Sequence, residues 1–233
     1  MSQRLQMSHI KTQLGLSIVE LMVTLVLSLF IMLVTTGFYI NNKSTYRFID
    51  SSNNVQENGR YAIHFLRETI ANAGFPKIDS TIKSFPTALP PADGVGTNPD
   101  SISVSYQATE DCLGNAVVGT VTSTFTVVGN NLLCNNVPLI VGVENLQMEY
   151  GIDTDNPADN IPNTYRRAGT VANWDNVVVV RLAILLSSQS LVRDQASAET
   201  YQLLGVTHTA PNDRQHRRVF TTTIALRNAD PDA

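Results

Sequence analysis

Gly15-Leu16-Ser17-Ile18-Val19-Glu20-Leu21-Met22-Val23-Thr24-Leu25 joins a short basic leader to a long apolar run. From Leu21 to Asn42 no side chain is charged. At about 1.5 Å of rise per residue, roughly 20 apolar residues cross a hydrocarbon core of about 30 Å. A helix can do so because it satisfies its own backbone hydrogen bonds in lipid. Glu20 is the anomaly. One reading is an interfacial acid near the helix N-terminus, where the dipole favours it. The other is a carboxylate with a partner, since an intramembrane acid costs a few kcal/mol when unpaired.

The arrangement of glycine, apolar residue, serine, two β-branched residues and glutamate, opening directly into the span, resembles the class III signal of type IV prepilins. The resemblance implies cleavage by a prepilin peptidase between Gly15 and Leu16, N-methylation of Leu16, and Glu20 as the fifth mature residue. Leu16 stands where the most typical pilins have phenylalanine. A cleaved secretory signal fits less well: the run is too long, no A-x-A-like site follows it, and Glu20 interrupts its start.

The chain has 233 residues and a net charge of −4. Without the leader, 14 basic face 20 acidic side chains, a net −6, so no basic nucleic-acid surface is expected. The two cysteines, Cys112 and Cys134, both follow the span. In an exported domain such a pair most often forms a disulfide, worth roughly 3 kcal/mol in the chain-entropy model; two free core thiols are the alternative.

Taken in order, the chain divides into a leader (1–15), a transmembrane helix (16–43), the amphipathic half of the same helix (44–75) and a β-rich domain (76–233). Gly37 sits inside the span as a candidate weak point. Tyr46, Ile49, Ala62, Leu66, Ile70 and Ala73 form the predicted apolar stripe of the second half. Gly74-Phe75-Pro76 ends the helix. A Pro- and Gly-rich loop follows to residue 100.

Strands are expected at Ser101–Tyr106, Val121–Val128, Leu132–Cys134, Leu139–Val143, Leu146–Ile152, Val177–Leu186, Tyr201–Thr207 and Val219–Leu226. Val177–Leu186 is almost wholly apolar, the mark of a central strand. Val178, Val180, Leu182, Ile184 and Leu186 share the face assigned to the helix, and Arg181 points away. The expected fold class is therefore α+β, a long N-terminal α-helix packed on an antiparallel β-sheet domain, and the prepilin resemblance implies that this is the type IV pilin-like fold.

Several stretches also resemble the PilW family of minor pilins: Val55-Gln56-Glu57-Asn58-Gly59-Arg60-Tyr61-Ala62, Asp111-Cys112-Leu113-Gly114-Asn115, the run Gly142–Asp155 and Arg218–Asn228. This resemblance implies a single-pass protein of a Gram-negative inner membrane, N-terminus cytoplasmic and C-terminal domain periplasmic, later carried into the pilus. Its implied partners are other minor pilins, the major pilin, the prepilin peptidase, the inner-membrane assembly platform and a PilY-type tip adhesin. The implied role is priming of pilus assembly near the fibre tip, for twitching, adhesion or DNA uptake. A J-type minor pseudopilin of type II secretion and a membrane-anchored periplasmic binding module are the alternatives.

No enzyme is expected, since no Gly-x-Ser-x-Gly, His-Glu-x-x-His or phosphate loop occurs, and no cofactor is implied. His64, His208 and His216 lack ligand spacing. Asp153, Asp155 and Asp159 share one loop and are weak calcium candidates, because Asn156-Pro157 replaces the third acid and glycine of a D-x-D-x-D-G loop. Trp174 and Tyr165-Arg166-Arg167 read as packing and ordinary surface.

Overall fold

A computed structural model describes residues 15, 17–76 and 82–229. The expected leader, Gly15 apart, lies outside these residues, and so does Leu16. One helix, α1 (Ile18–Ala71, 54 residues), precedes ten strands. The chain forms two compact units that divide between Tyr46 and Arg47. The first contains the apolar part of α1, long and apolar enough to cross a membrane, with none of its most apolar window buried.

In the second unit a four-stranded sheet has the order β1 (Ile102–Gln107), β2 (Thr120–Val128), β3 (Asn131–Cys134), β4 (Val137–Val141). A second has the order β10 (Gln215–Ala225), β7 (Val177–Leu191), β5 (Val143–Ile152), β6 (Thr164–Arg166). A separate hairpin joins β8 (Thr200–Leu203) to β9 (Val206–Thr209). Every strand pair among the described residues is antiparallel.

β7 is one of the two inner strands of its sheet, with Leu182 paired to Met148 on β5 and to Thr222 on β10. Val178, Val180, Leu182, Ile184 and Leu186 are buried in one core with Val55, Ala62, Leu66 and Ile70 of α1. Fully burying a side chain such as Leu66 or Ile70 is worth about 1.5–3 kcal/mol. The odd-numbered face is covered as well. Ala183 and Leu185 pack with Leu203, Tyr201 and Val219 under the β8–β9 hairpin. Arg181 points away from α1, as expected, and lies over the Tyr165 ring at 4.3 Å and beside Glu149 at 3.7 Å.

Three details differ from the sequence reading. The buried stripe of α1 runs through Ser51, Val55, Gly59, Ala62, Leu66 and Ile70, while Tyr46 and Ile49 are exposed. The register is set by Phe220 of β10: a Cβ at Gly59 would collide with its ring. The stretch Tyr201–Thr207 is a hairpin and not one edge strand, because Leu204 and Gly205 adopt φ of 48° and 81° and close a two-residue turn. Residues 164–166, where no strand is expected, pair with Tyr150–Ile152 as β6.

Candidate functional site

The N-terminal segment is built by its own backbone. Leu21 N–H donates to the Ser17 carbonyl at 3.0 Å, which places Glu20 in the first turn of α1. Glu20 is exposed and pairs with no cation among the described residues. The hydroxyls of this stretch turn inward on the helix. Thr24 donates to Leu21 O (2.9 Å), Ser28 to Leu25 O (2.8 Å), Thr35 to Ile31 O (2.9 Å) and Thr36 to Met32 O (2.7 Å). Such back-bonding satisfies hydroxyls where no water can. It leaves an apolar cylinder on which Leu33 is 75% exposed and Phe30 68% exposed. A Cβ at Gly37 would have nothing within 4 Å.

Cys112 and Cys134 form the disulfide, with Cα atoms 6.4 Å apart. Cys134 ends β3 opposite Phe125 of β2, so the bridge fastens the β1–β2 connection to the β2–β3 hairpin. The three aspartates of the 153–159 loop are brought together, one carboxylate oxygen from each lying within 4.8 Å of the others. Asp153 is buried, and its lone pairs are largely occupied. Its Oδ1 accepts from Asp155 N–H (3.0 Å), and its Oδ2 accepts from Asp159 N–H (3.0 Å) and Asn160 N–H (2.7 Å). Asp155 accepts from Asn163 Nδ2 and Asp159 from Ile161 N–H, so all three acids staple the loop to itself.

The sequence reading missed a buried polar seam on β5. Asn145 and Gln147 are fully buried and donate to the carbonyls of Thr97 (2.7 Å) and Asn98 (2.8 Å). Asp100, also buried, accepts from Gly94 N–H (2.8 Å) and Met148 N–H (2.7 Å). Burial and the neighbouring Asp93 push its carboxyl up to about 6, against the pull of those two N–H donors. Arg167 bridges Gln147 Oε1 and the Leu204 carbonyl and lies 3.7 Å from Asp93. Loop 93–100 and the β8–β9 hairpin are thus clamped to one strand. The only advance signal was a pair of amides on a strand that otherwise alternates.

Arg217 is a buried cation. It donates to Glu144 (2.7 Å) and Asp213 (2.6 Å). Burial works against its charge, but the two carboxylates hold the guanidinium above its ordinary range, and the guanidinium in turn holds Asp213 below its own. His208 Nδ1 lies 3.1 Å from Asn145 Nδ2, and the His216 ring meets Phe48 edge-on at 5.2 Å. Trp174 packs edge-on against Tyr150 at 4.8 Å.

The described residues form a long, exposed apolar helix followed by antiparallel sheets around its buried stripe, the α+β arrangement expected from the sequence. Residues 113–228, from the residue after Cys112 to just past β10, match the family model PilW, described as Type IV Pilus-assembly protein W. The PilW resemblance drawn from the sequence is therefore shown over this segment. No curated protein matches the chain. Among solved structures it is similar to a type IV-like pilin, TTHA1219 from Thermus thermophilus, at 14% identity and a TM-score of 0.48, covering 75% of this chain and 97% of that one.

Proposed function

We propose that this protein is a minor pilin of a type IV pilus and primes fibre assembly together with other minor pilins near the tip. The observation that carries the reading is the PilW match over residues 113–228 behind an exposed apolar helix that starts within a few residues of Gly15. The chain is made as a prepilin, cut between Gly15 and Leu16 and methylated on Leu16. Its apolar helix is stored in the inner membrane with the N-terminus cytoplasmic and the strand-rich unit periplasmic. Extraction into the fibre then exchanges lipid contacts for contacts with the helices of the major pilin and other minor pilins. In that bundle Glu20 pairs with the N-terminal amine of a neighbouring subunit and sets register. The assembly platform and a PilY-type tip adhesin are its further partners.

The test is the N-terminal mass of the protein from cells with and without the prepilin peptidase. A methylated Leu16 start that requires the peptidase is expected. An intact Met1, or a cut beyond Asn42, would remove the pilin reading. Loss of secretion with intact fibres in a deletion strain would move the chain to the J-type pseudopilins.

A further inference from the structure

β7 is longer than the strand beside it. β5 begins at Val143, opposite Leu186, whereas β7 continues to Leu191. The chain enters β5 through Gly142, whose φ is +85° and whose Cβ, if present, would lie 2.6 Å from the Ser187 carbonyl oxygen. The β4–β5 connection therefore passes close to β7 and then leaves it. On the opposite side β10 stays in place, pairing Arg217 with Ser187 and Gln215 with Leu191 across a bulge. The Ser188 hydroxyl spans that bulge, accepting from His216 N–H (2.9 Å) and donating to the Ser190 carbonyl (2.8 Å).

The direction of each peptide group follows. Ser187 N–H donates towards β5, to the Gly142 carbonyl at 2.7 Å. Val192 N–H donates towards β10, to the Arg214 carbonyl at 3.0 Å. Past the bulge the Ser190 carbonyl is held by the Ser188 hydroxyl that also takes the His216 N–H, and Val192 N–H faces β10, so the peptide groups between them, of Leu191 and by alternation Gln189, face the side that β5 has vacated. Among the described residues nothing bonds to them there. A cavity of about 650 Å³ opens on that side, and its far wall is the polar edge of α1: Arg47, Asp50, Asn54 and Asn58.

We propose that this open edge of β7, from Ser188 to Leu191, is a docking site for an extended, uncharged segment of another protein chain. Exposed strand edges are ordinarily guarded by lysine, proline or an inward charge; Gln189-Ser190-Leu191 carries none of them. The edge offers donors and acceptors in the order that an added strand requires. At about 3.3 Å per residue it matches four to five residues of partner. The charge of the cavity selects among partners. Its lining holds one cation, Arg47, and one anion, Asp50, with the remaining polar groups amides and hydroxyls. A charged peptide therefore finds no net counter-charge, whereas a polar uncharged strand finds bonds on both walls. Leu191 (62% exposed) and Val141 (43% exposed) give it apolar footing at the rim. The inference does not depend on the filament reading, since an added strand is recognised equally by a subunit that never leaves the membrane.

The test places a photoreactive benzoylphenylalanine at Gln189 or at Leu191 in the full-length chain, in membranes of its native host, and maps the cross-linked peptides by mass spectrometry. The expected result is one segment of a different chain, low in charge, with the two probes marking positions two residues apart. Cross-links to a second copy of this chain, scattered cross-links or none would each overturn the proposal. Gln189→Pro removes one N–H from the open side, so it should lower the yield from position 191 about tenfold, while Gln189→Ala, which keeps the N–H, leaves it unchanged. Amide exchange on the unsubstituted protein guards against a folding defect in the proline variant. In membranes the amides of Gln189 and Leu191 should exchange about tenfold more slowly than in the purified chain, with Ser188 and Ser190 unchanged. Equal exchange in both states would count against an added strand.

Discussion

α1 is two helices in its chemistry. From Ile18 to Ile40 every described side chain is exposed, and the hydroxyls are satisfied by the helix itself. From Ser51 to Ala71 a narrow stripe is buried, and that stripe includes a serine, a glycine and a threonine. The first part needs no particular neighbour to be a helix, only a solvent that does not compete for its backbone. The second is fixed in register by what packs against it. A substitution in the first part should therefore act on assembly, and one in the second on the stability of its own unit.

Glu20→Ala breaks this comparison most sharply. If Glu20 pairs in the fibre as proposed, its removal leaves a buried amine uncompensated, at a cost of about 3–5 kcal/mol per contact. The expected outcome at native expression is loss of the subunit from sheared fibres with an unchanged unfolding midpoint of the strand-rich unit. Normal incorporation would refute the registration role. Reducing Cys112–Cys134 should do the reverse. The unit from Arg47 onward loses roughly 3 kcal/mol, read as a lower urea midpoint, while the apolar part of α1 stays helical by circular dichroism in detergent.

Next come the two helical glycines. Gly59→Ala should destabilise by about 1–3 kcal/mol, because the new methyl meets the Phe220 ring. Gly37→Ala has open space and should gain about 1 kcal/mol of helix propensity. If that gain impairs fibre incorporation, Gly37 is the weak point expected from the sequence. Phe220→Ala together with Gly59→Ala should recover part of the Gly59 loss, a coupling that independent sites would not show.

These pairs explain what could be read in advance. The apolar part of α1, its continuation and the buried face of β7 carry local periodicities with one solution each. The stripe of α1 was shifted because Ser51, Gly59 and Thr69 are not apolar; they are buried by what β10 and its neighbours bring to them. The β8–β9 turn was hidden because Leu204, a poor turn residue, occupies a positive-φ position. The grouping of Asp153, Asp155 and Asp159 was legible, since all lie in one loop. The backbone bonds that occupy Asp153 were not, because they depend on the fold of residues 155–160. Gly15, Leu16 and Glu20 were singled out by spacing alone, and the described residues add only that Glu20 stands in the first turn of α1.

The polar seam on β5 gives the smallest effect and the most specific sign. Asp100 has its carboxyl raised to about 6 by burial and by Asp93. Between about pH 4 and pH 6 the folded chain therefore holds a proton that the unfolded chain has released, so stability falls as pH rises through this window. The groups facing Asp100 are Asp93, on its own loop, and Arg167, which lies 3.7 Å from Asp93 and offsets part of the repulsion. Asp111, held low by Asn115, Glu199, held low by Arg193, and Asp213, held low by Arg217, act with the opposite sign and below about pH 4, where protonation removes their contribution. His216, lowered by burial and by Arg193, adds stability as pH rises towards its ordinary 6.5 and so masks part of the slope. A difference measurement removes these shared contributions. The unfolding free energy of the unsubstituted chain minus that of Asp100→Asn, from urea titrations, should shrink from pH 4 to pH 6, by on the order of 1 kcal/mol after solvent screening around Asp93 is counted. Above pH 6 it should stay flat. A difference that grows with pH would mean that the Gly94 and Met148 N–H donors outweigh Asp93, and that the loop is held by a fully ionised Asp100.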